Sequence, residues 1–233
     1  KVFSESGGLF DCSIAPLSNY WGFGFEESLS EIDSAEVLRR LKLVDYSKLQ
    51  IKNDSLKLPI GMQLDYNAIA QGYAVDIVSD FLEGKRIVNY LVEIGGELRA
   101  NGTNPDSKLW LVGIDKPTED SNFQQDFQII LGLENSSLAT SGNYRKFKEI
   151  DGVKYSHTIS TETGFFAKNR MLSATVIHPF CMFSDAYATT FMTMGVKTSK
   201  EFAQNHKELK VYFVYSDKNG DWKTYSSENL ITD

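Results

Sequence analysis

Cysteine is scarce in this sequence: only Cys12 and Cys181 occur among 233 residues. Two thiols do not make a disulfide framework, which excludes the small secreted scaffolds that depend on several disulfide bonds. We expect both to be small core residues, although a bond between them stays open. The sequence also lacks a Cys/His cluster spaced for zinc and a G-x-S-x-G motif, so neither a zinc site nor a serine hydrolase is indicated.

Positive charge is in deficit, since 24 Lys and Arg stand against 31 Asp and Glu, a formal net charge of -7. This balance argues against a surface that collects nucleic acid or anionic lipid, and a phosphate ligand would need a metal ion or backbone amides. A run of ~20 apolar residues is also missing, because His178, Pro179 and Asp185 interrupt residues 171–194, so we expect a soluble chain. Lys1 comes first, with no Met or signal-like segment, and gives no indication of the compartment.

Apolar residues are plentiful, at 42% hydrophobic and 12% aromatic, which is enough for a sizeable core. No repeat or long linker divides residues 1–233, so one compact unit is expected. Apolar residues at helical spacing predict two amphipathic helices, one with Val37, Leu38 and Leu41 and one that ends near Gly84. The second helix has an apolar residue at every fourth position: Ile69, Tyr73, Ile77 and Phe81.

Short β-rich runs outnumber the helices and neighbour one another along the chain. This order predicts an α+β fold rather than a regular βαβ series. Asn219-Gly220 indicates a hairpin turn near the end of the chain. The predicted strands are residues 88–94, 109–114, 127–133, 155–159, 174–178 and 210–215.

Residues 10–25, FDCSIAPLSNYWGFGF, combine small residues with Pro16, Trp21 and Phe23. This mixture predicts a rigid loop with aromatic walls, which either enters the core or lines the site of a planar ligand.

Residues 64–76, LDYNAIAQGYAVD, place Asp65 and Asn67 just before the second helix. There they either cap the helix N-terminus or hold a ligand beside its amides. The Gly95-Gly96 pair in VEIGGELRANG lacks the further Gly and the Lys of a P-loop, and indicates a β-bulge or a close approach of backbone to a ligand.

His157 and Asp185 are the candidates for chemistry. His157 is either structural or the leading candidate for a general base, because its ordinary pKa is near neutral. Asp185 and Thr189 are four residues apart, which would place a carboxylate and a hydroxyl on one face of a helix at its first turn. Two such oxygens suit Mg²⁺, although Thr189 could instead bond back to the carbonyl of Asp185.

Taken in order, these segments resemble the ApbE-type flavin transferases, the FAD:protein FMN transferase family. PLSNYWGFG resembles the family's P-L-x-x-x-W-G-F-G, and DYNAIAQGYAVD resembles its D-x-G-A-I-A-K-G-Y-A-x-D. VEIGGELRANG, SLATSGNYRKF, KYSHTISTETG and SDAYATTFMTMG match later blocks, so the resemblance spans residues 8–195. Against that pattern, Gln71 replaces a usual lysine, Asn67 replaces a usual glycine, and Ser160-Thr161-Glu162 replaces Asp-Pro-Lys/Arg.

The resemblance implies a T-fold-like α+β architecture, with mixed or antiparallel sheets and packed helices, that binds FAD and Mg²⁺. It implies transfer of the FMN half of FAD to a Thr or Ser hydroxyl of a target flavoprotein, with release of AMP. The carbonyl of Ala68 and the side chains of Asp185 and Thr189 would hold Mg²⁺, with the carbonyl of Ala188 as an additional candidate. Asp185 and His157 would be catalytic, His157 by assisting deprotonation of the acceptor. The positions expected to contact FAD are Ser13, Ile14, Ala15, Asp65, Gln71 and Ile159.

The resemblance also implies a location and a partner. The protein would be extracytoplasmic, as a periplasmic protein or a membrane-anchored lipoprotein, and its acceptor would be a flavoprotein subunit of a redox complex. We expect a single ApbE-like domain that lacks most of the family's N-terminal region. Two other functions stay open: an FAD pyrophosphatase that yields FMN and AMP, and a noncatalytic FAD-binding remnant.

Overall fold

The computed structural model describes residues 1–24, 32–115, 127–142, 147–150, 153–156 and 158–230. These residues form helices and strands in the α+β arrangement that the sequence predicts. The helices are α1 (Val2–Glu5), α2 (Ala15–Tyr20), α3 (Ser34–Leu41), α4 (Ala70–Gly84), α5 (Cys181–Met194) and α6 (Val196–Asn205). The strands are β1 (Gln50–Lys52), β2 (Ser55–Lys57), β3 (Tyr90–Ile94), β4 (Glu97–Asn101), β5 (Trp110–Asp115), β6 (Phe127–Leu133), β7 (Ser136–Gly142), β8 (Phe147–Ile150), β9 (Val153–Ser156), β10 (Met171–His178), β11 (Lys210–Ser216) and β12 (Trp222–Ser226).

Six of these strands form one antiparallel sheet in the order β12-β11-β10-β7-β4-β3. Successive residues of a strand point to opposite faces, and both faces are buried here. Val176 and Phe213 pack in the cluster that contains α5, whereas Ile177 and Val214 pack in a second cluster. Because both faces are covered at the centre of the sheet, the central strand β10 is buried along nearly its whole length.

Helices α4, α5 and α6 cover the first face. Tyr187 and Phe191 of α5 are fully buried against Phe213 of the sheet, and Ala203 of α6 belongs to the same cluster. The β5–β6 hairpin covers the second face, where Leu131 and the neighbouring inward residues of the hairpin pack against the sheet. The sheet is therefore the middle layer of three.

A third, smaller cluster forms where α2 and α3 pack together. It contains Leu17, Trp21 and Val37 with Ile159 and Phe166. The prediction of a loop over residues 10–25 is thus wrong in part, because six of these residues form α2, with Pro16 in its first turn where a missing amide is harmless.

The predicted helix near Gly84 is confirmed as α4, but its four-residue apolar spacing does not mark its buried face. Tyr73 is 54% exposed and Phe81 is 62% exposed, while Gly72 and Val75 are buried. The inner face of α4 carries small side chains because α5 lies directly against it.

Several strand predictions need correction at their bounds. The run at 155–159 is wrong in its second half: β9 ends at Ser156, and Ile159 makes only an isolated bridge with Phe166. The predicted hairpin near Asn219 is confirmed, with Ser216 paired to Trp222. Its turn depends on the Asp217 carboxylate and on Gly220, the residue there with positive φ.

Cys12 and Cys181 are both buried and free, as expected for small core residues. Burial raises the pKa of Cys12 to about 11, and the Asp11 carboxylate adds to that shift. Among the helices that the structure describes, none has the length and apolar character needed to span a membrane.

Candidate functional site

Asp185 is a buried carboxylate on α5 with a single hydrogen-bond partner among the described residues. The residue is 6% exposed, and its Oδ2 accepts a bond from the backbone amide of Gly72 at 3.1 Å. Burial raises its pKa to about 6, and the Gly72 bond offsets this only in part. No Lys, Arg or His of the described chain forms an ion pair with it. Since α5 begins at Cys181, Asp185 lies in the second turn rather than in the predicted first turn.

The Gly72 amide faces Asp185 because α4 and α5 cross in close contact. A Cβ atom on Gly72 would lie 2.5 Å from the carbonyl oxygen of Cys181, so only glycine fits there without a shift of the backbone. Ile69, the N-cap of α4, makes no side-chain cap, and Asp185 therefore satisfies one of the free amides of the first turn. Ala68, just before α4, packs against the same core cluster as α5.

Thr189 follows Asp185 by one helical turn. Its hydroxyl lies 3.2 Å from the hydroxyl of Ser141 on β7. The alternative for Thr189 was a hydrogen bond from its hydroxyl to the carbonyl four residues earlier. Thr190 makes a bond of this kind instead, to the carbonyl of Ala186 at 2.7 Å. Ala188, the additional metal candidate, is fully buried.

These residues offer oxygen atoms of the kind that Mg²⁺ binds. The set comprises the Asp185 carboxylate, the Thr189 hydroxyl and the backbone carbonyls of Ala68 and Ala188. The described residues contain no cluster of three His, Cys, Asp or Glu side chains that could hold a metal ion. Mg²⁺ often binds through one or two carboxylates and completes its shell with phosphate and water oxygens. A buried carboxylate without a cationic partner is stabilised by such an ion, so the residues fit the predicted metal.

The predicted flavin residues at 13–15 lie in a tightly bonded segment. Ser13 is fully buried: its hydroxyl donates to Asp11 at 2.6 Å and accepts from the Asp45 amide at 2.9 Å. Ile14 bridges Gln63, and Ala15 begins α2. Because the Ser13 amide also donates to Asp11 at 2.7 Å, both the hydroxyl and the amide of Ser13 are already bonded within the protein.

Asp65 does not cap α4, which corrects one of the two readings of that residue. Its carboxylate accepts from the amide of Asn67 at 2.8 Å and from the Ser18 hydroxyl at 2.9 Å, and α4 begins only at Ala70. The amide of Asp65 donates to the carbonyl of Cys12 at 2.8 Å. Asp65 therefore joins residues 64–76 to the segment that contains residues 13–15.

Gln71 lies against the turn between β3 and β4. A Cβ atom on Gly95 would lie 1.9 Å from Nε2 of Gln71, so the turn and the side chain are in close contact. Gly95 and Gly96 both have positive φ and connect paired residues Ile94 and Glu97, as in a two-residue hairpin turn. The two-residue turn replaces the predicted bulge, and a close approach of this backbone to a ligand stays a prediction.

Several of the candidate residues converge on residues 64–76. This segment contacts residues 11–15 through Asp65, the β3–β4 turn through Gln71, and α5 through Gly72. Ser141 and Thr189 add a link between β7 and α5. Ile159 is buried in the cluster of α2 and α3, and His157, the predicted general base, lies outside the described residues.

Sequence reasoning missed Gly72, Asp76 and Ser141. Asp76 is a buried acid on α4 that accepts bonds from the first amides of α5. No local pattern signals this contact, because Asp76 and Cys181 are 105 residues apart in the sequence.

The molecule has an antiparallel α+β architecture with its candidate site at the crossing of two helices. The profile of the ApbE family matches residues 1–213, and the chain belongs to that family. The FAD:protein FMN transferase of Vibrio cholerae serotype O1 is 37% identical over 225 residues, which are 96% of this chain and 66% of that protein. The protein of the same name from Haemophilus influenzae is 33% identical over 219 residues, or 91% and 62%.

Solved structures agree with the sequence comparisons. The flavin transferase ApbE from Vibrio cholerae superposes with a TM-score of 0.85 and 34% identity, covering 97% of this chain and 71% of that one. The fold predicted from the resemblance is thereby confirmed. The chain spans just under two thirds of the length of the two curated relatives above, at 66% and 62%.

Proposed function

We propose that this chain transfers the FMN half of FAD to a Thr or Ser hydroxyl of an acceptor flavoprotein, with Mg²⁺ as cofactor and AMP as the second product. The names of its relatives, FAD:protein FMN transferase, support the activity. The observation that carries the proposal is the buried Asp185 carboxylate, which has no cationic partner among the described residues and lies where the candidate segments converge.

Mg²⁺ would be held by Asp185, Thr189 and the carbonyls of Ala68 and Ala188. When bound, it supplies the positive charge that neutralises a pyrophosphate, a requirement in a chain of net charge -7. Asp185 is oriented for this role because the Gly72 amide holds Oδ2 and leaves Oδ1 for a ligand.

The remaining candidates bind FAD and prepare the acceptor. Gln71 donates hydrogen bonds from its amide where the family usually has a lysine, so it supplies direction without charge. Ser13, Ile14, Ala15, Asp65 and Ile159 contact FAD in this proposal. His157 takes the proton of the acceptor hydroxyl, and phosphoryl transfer otherwise depends on positioning and charge neutralisation.

The proposal extends to the partner and the location. The acceptor is a flavoprotein subunit of a redox complex. The chain itself acts outside the cytoplasm, as a periplasmic protein or a membrane-anchored lipoprotein. Both statements are drawn from the family resemblance.

Product analysis tests the proposal. The purified chain is incubated with FAD and Mg²⁺, with and without an acceptor flavoprotein that carries a reactive Thr, and AMP and intact acceptor mass are followed together. A gain of one FMN mass with matching AMP is expected, and an acceptor in which that Thr is replaced by Val is the control. AMP without acceptor gain would instead identify an FAD pyrophosphatase, and FAD binding without AMP would identify a noncatalytic binder.

Two variants assign the roles of the residues. Asp185→Ala should lower the transfer rate by roughly 100-fold or more, because it removes the one carboxylate of the metal site. His157→Ala should bind FAD normally but slow the transfer step. Single-turnover kinetics equal to those of the wild type would remove the altered residue from the mechanism.

A further inference from the structure

Helix α5, which carries Asp185 and Thr189, has no cap of its own. Phe180, its N-cap, makes no side-chain cap bond. The amides of Cys181 and Met182 instead donate to the two carboxylate oxygens of Asp76, each at 2.9 Å. An acid on α4 therefore satisfies the free amides at the start of α5, where a negative charge is also favoured by the helix dipole.

Asp76 is fixed in this position by a third element. Arg99 on β4 contacts Oδ1 of Asp76 through Nη1 at 3.2 Å, and its guanidinium lies 5.5 Å from the centre of the Phe180 ring. The carboxylate is buried, so its charge needs such a partner. Helices α4 and α5 and strand β4 thus meet at one carboxylate.

The contact between the two helices is reciprocal. Asp76 of α4 accepts from the first turn of α5, and Asp185 of α5 accepts from Gly72 in the first turn of α4. The two contacts are one helical turn apart on each helix. Together the two contacts prevent α5 from sliding along α4 and from rotating against it. One contact alone would not prevent rotation.

We propose that Asp76 is a positioning residue of the metal site: by holding the start of α5 against α4, it sets the distance between the metal ligand just before α4 and those on α5. The inference rests on the proposed function, in which the Mg²⁺ ligands are the carbonyl of Ala68, just before α4, and the side chains of Asp185 and Thr189, on α5. A shift of α5 along α4 would separate these ligands without altering any of them.

The test compares Asp76→Asn with Asp80→Asn in the full chain. Asp80 lies one turn further along α4, contacts Arg99 at the same 3.2 Å and is 63% exposed at its side chain, but it bonds no amide of α5. Both changes remove one negative charge from the same helix and one contact from Arg99. Mn²⁺ serves as the probe, and its free concentration is read by electron paramagnetic resonance in the presence of FAD, while urea unfolding is measured in parallel.

Asp76→Asn should weaken Mn²⁺ binding by about tenfold or more, the effect typical of residues that orient metal ligands. Asp80→Asn should bind Mn²⁺ as the wild type does, to within about twofold. Asp76→Asn with wild-type Mn²⁺ affinity would overturn the inference, even if it were less stable in urea, since its role would then be structural alone.

Asp185→Asn separates this inference from the proposed function. If it binds Mn²⁺ as the wild type does, the proposed metal site is wrong, whatever Asp76 does. If Asp185→Asn abolishes binding, the result for Asp76 stands by itself. Should Asp76→Asn fail to fold, Asp76→Ser, which keeps one acceptor for the amides, takes its place, and the same two outcomes decide.

Discussion

The carboxyl group of Asp185 exchanges hydration for one backbone hydrogen bond, and this has a consequence for stability. Its pKa rises from an ordinary 3.8 to about 6 in the folded protein. Between these values the folded state keeps a proton that the unfolded state has lost, so the metal-free protein loses stability as pH rises through that window. Relative to Asp185→Asn, the wild type should lose about 2 kcal/mol of unfolding free energy between about pH 4 and pH 6.

Urea unfolding of metal-free wild type and Asp185→Asn across this range measures the difference. Below the window both proteins carry a neutral side chain at position 185 and should be similarly stable. Saturating Mg²⁺ and FAD should reverse the order above the window, because a bound cation favours the ionised carboxylate. If the unfolding free energies of the two metal-free proteins varied in parallel with pH, the raised pKa of Asp185 would be contradicted.

The sequence could indicate which residues bear the chemistry but not which residues support them. Asp185 and Thr189 are detectable because their spacing of four places them on one helical face. Gly72, which donates to Asp185, is 113 residues away, and Ser141 is 48 residues from Thr189. Contacts at such separations depend on the packed fold, and no local pattern encodes them.

At the scale of elements, the crossing of α4 and α5 depends on Gly72. Gly72→Ala would bring a Cβ atom to 2.5 Å from the Cys181 carbonyl oxygen and 2.9 Å from Cβ of Asp185. Since backbone is the obstacle, the helices must move apart, and we expect a loss of about 1–3 kcal/mol in unfolding free energy together with weaker Mn²⁺ binding.

Gly84→Ala is the matched control for Gly72→Ala. Gly84 lies in the last turn of the same helix, and an added Cβ atom there has no neighbour within 4 Å. Alanine is the better helix former, so this change should leave stability equal or raise it by up to about 1 kcal/mol. Urea unfolding of both variants makes the comparison, and equal stability of the two would show that the crossing tolerates a side chain.

Helices and strands were predictable from the sequence where the local pattern of apolar and β-branched residues is distinctive. Helix α4 was found from its apolar spacing, although that stripe is exposed. Strand β7, SSLATSG, was missed because it has no aromatic residue and few β-branched ones, yet it lies in the middle of the central sheet. Helix α5 is apolar nearly all round because it is buried between α4 and the sheet, so its periodicity is weak.

At the scale of the whole molecule, the central sheet separates the candidate site from the core cluster that contains the β5–β6 hairpin. The site lies at α4 and α5 on one face, and the β5–β6 hairpin packs on the other. Composition predicted a sizeable core. It could not predict that the sheet divides this core into two parts, because the elements that cover each face of the sheet decide whether both faces are buried. Substitutions on the hairpin side should therefore lower stability without lowering activity, whereas substitutions at the site should lower activity.

Leu131→Ala tests this separation. Leu131 on β6 is fully buried in the hairpin cluster, so its truncation should lower the unfolding free energy by about 2–5 kcal/mol. Ile130, the next residue, is 48% exposed on the opposite side of the strand, and Ile130→Ala should cost about 1 kcal/mol or less. With FAD and Mg²⁺ at saturation and at a temperature where both variants are folded, FMN transfer per folded molecule should match the wild type for each. A selective loss of transfer in Leu131→Ala would show that the hairpin layer also shapes the site through the sheet.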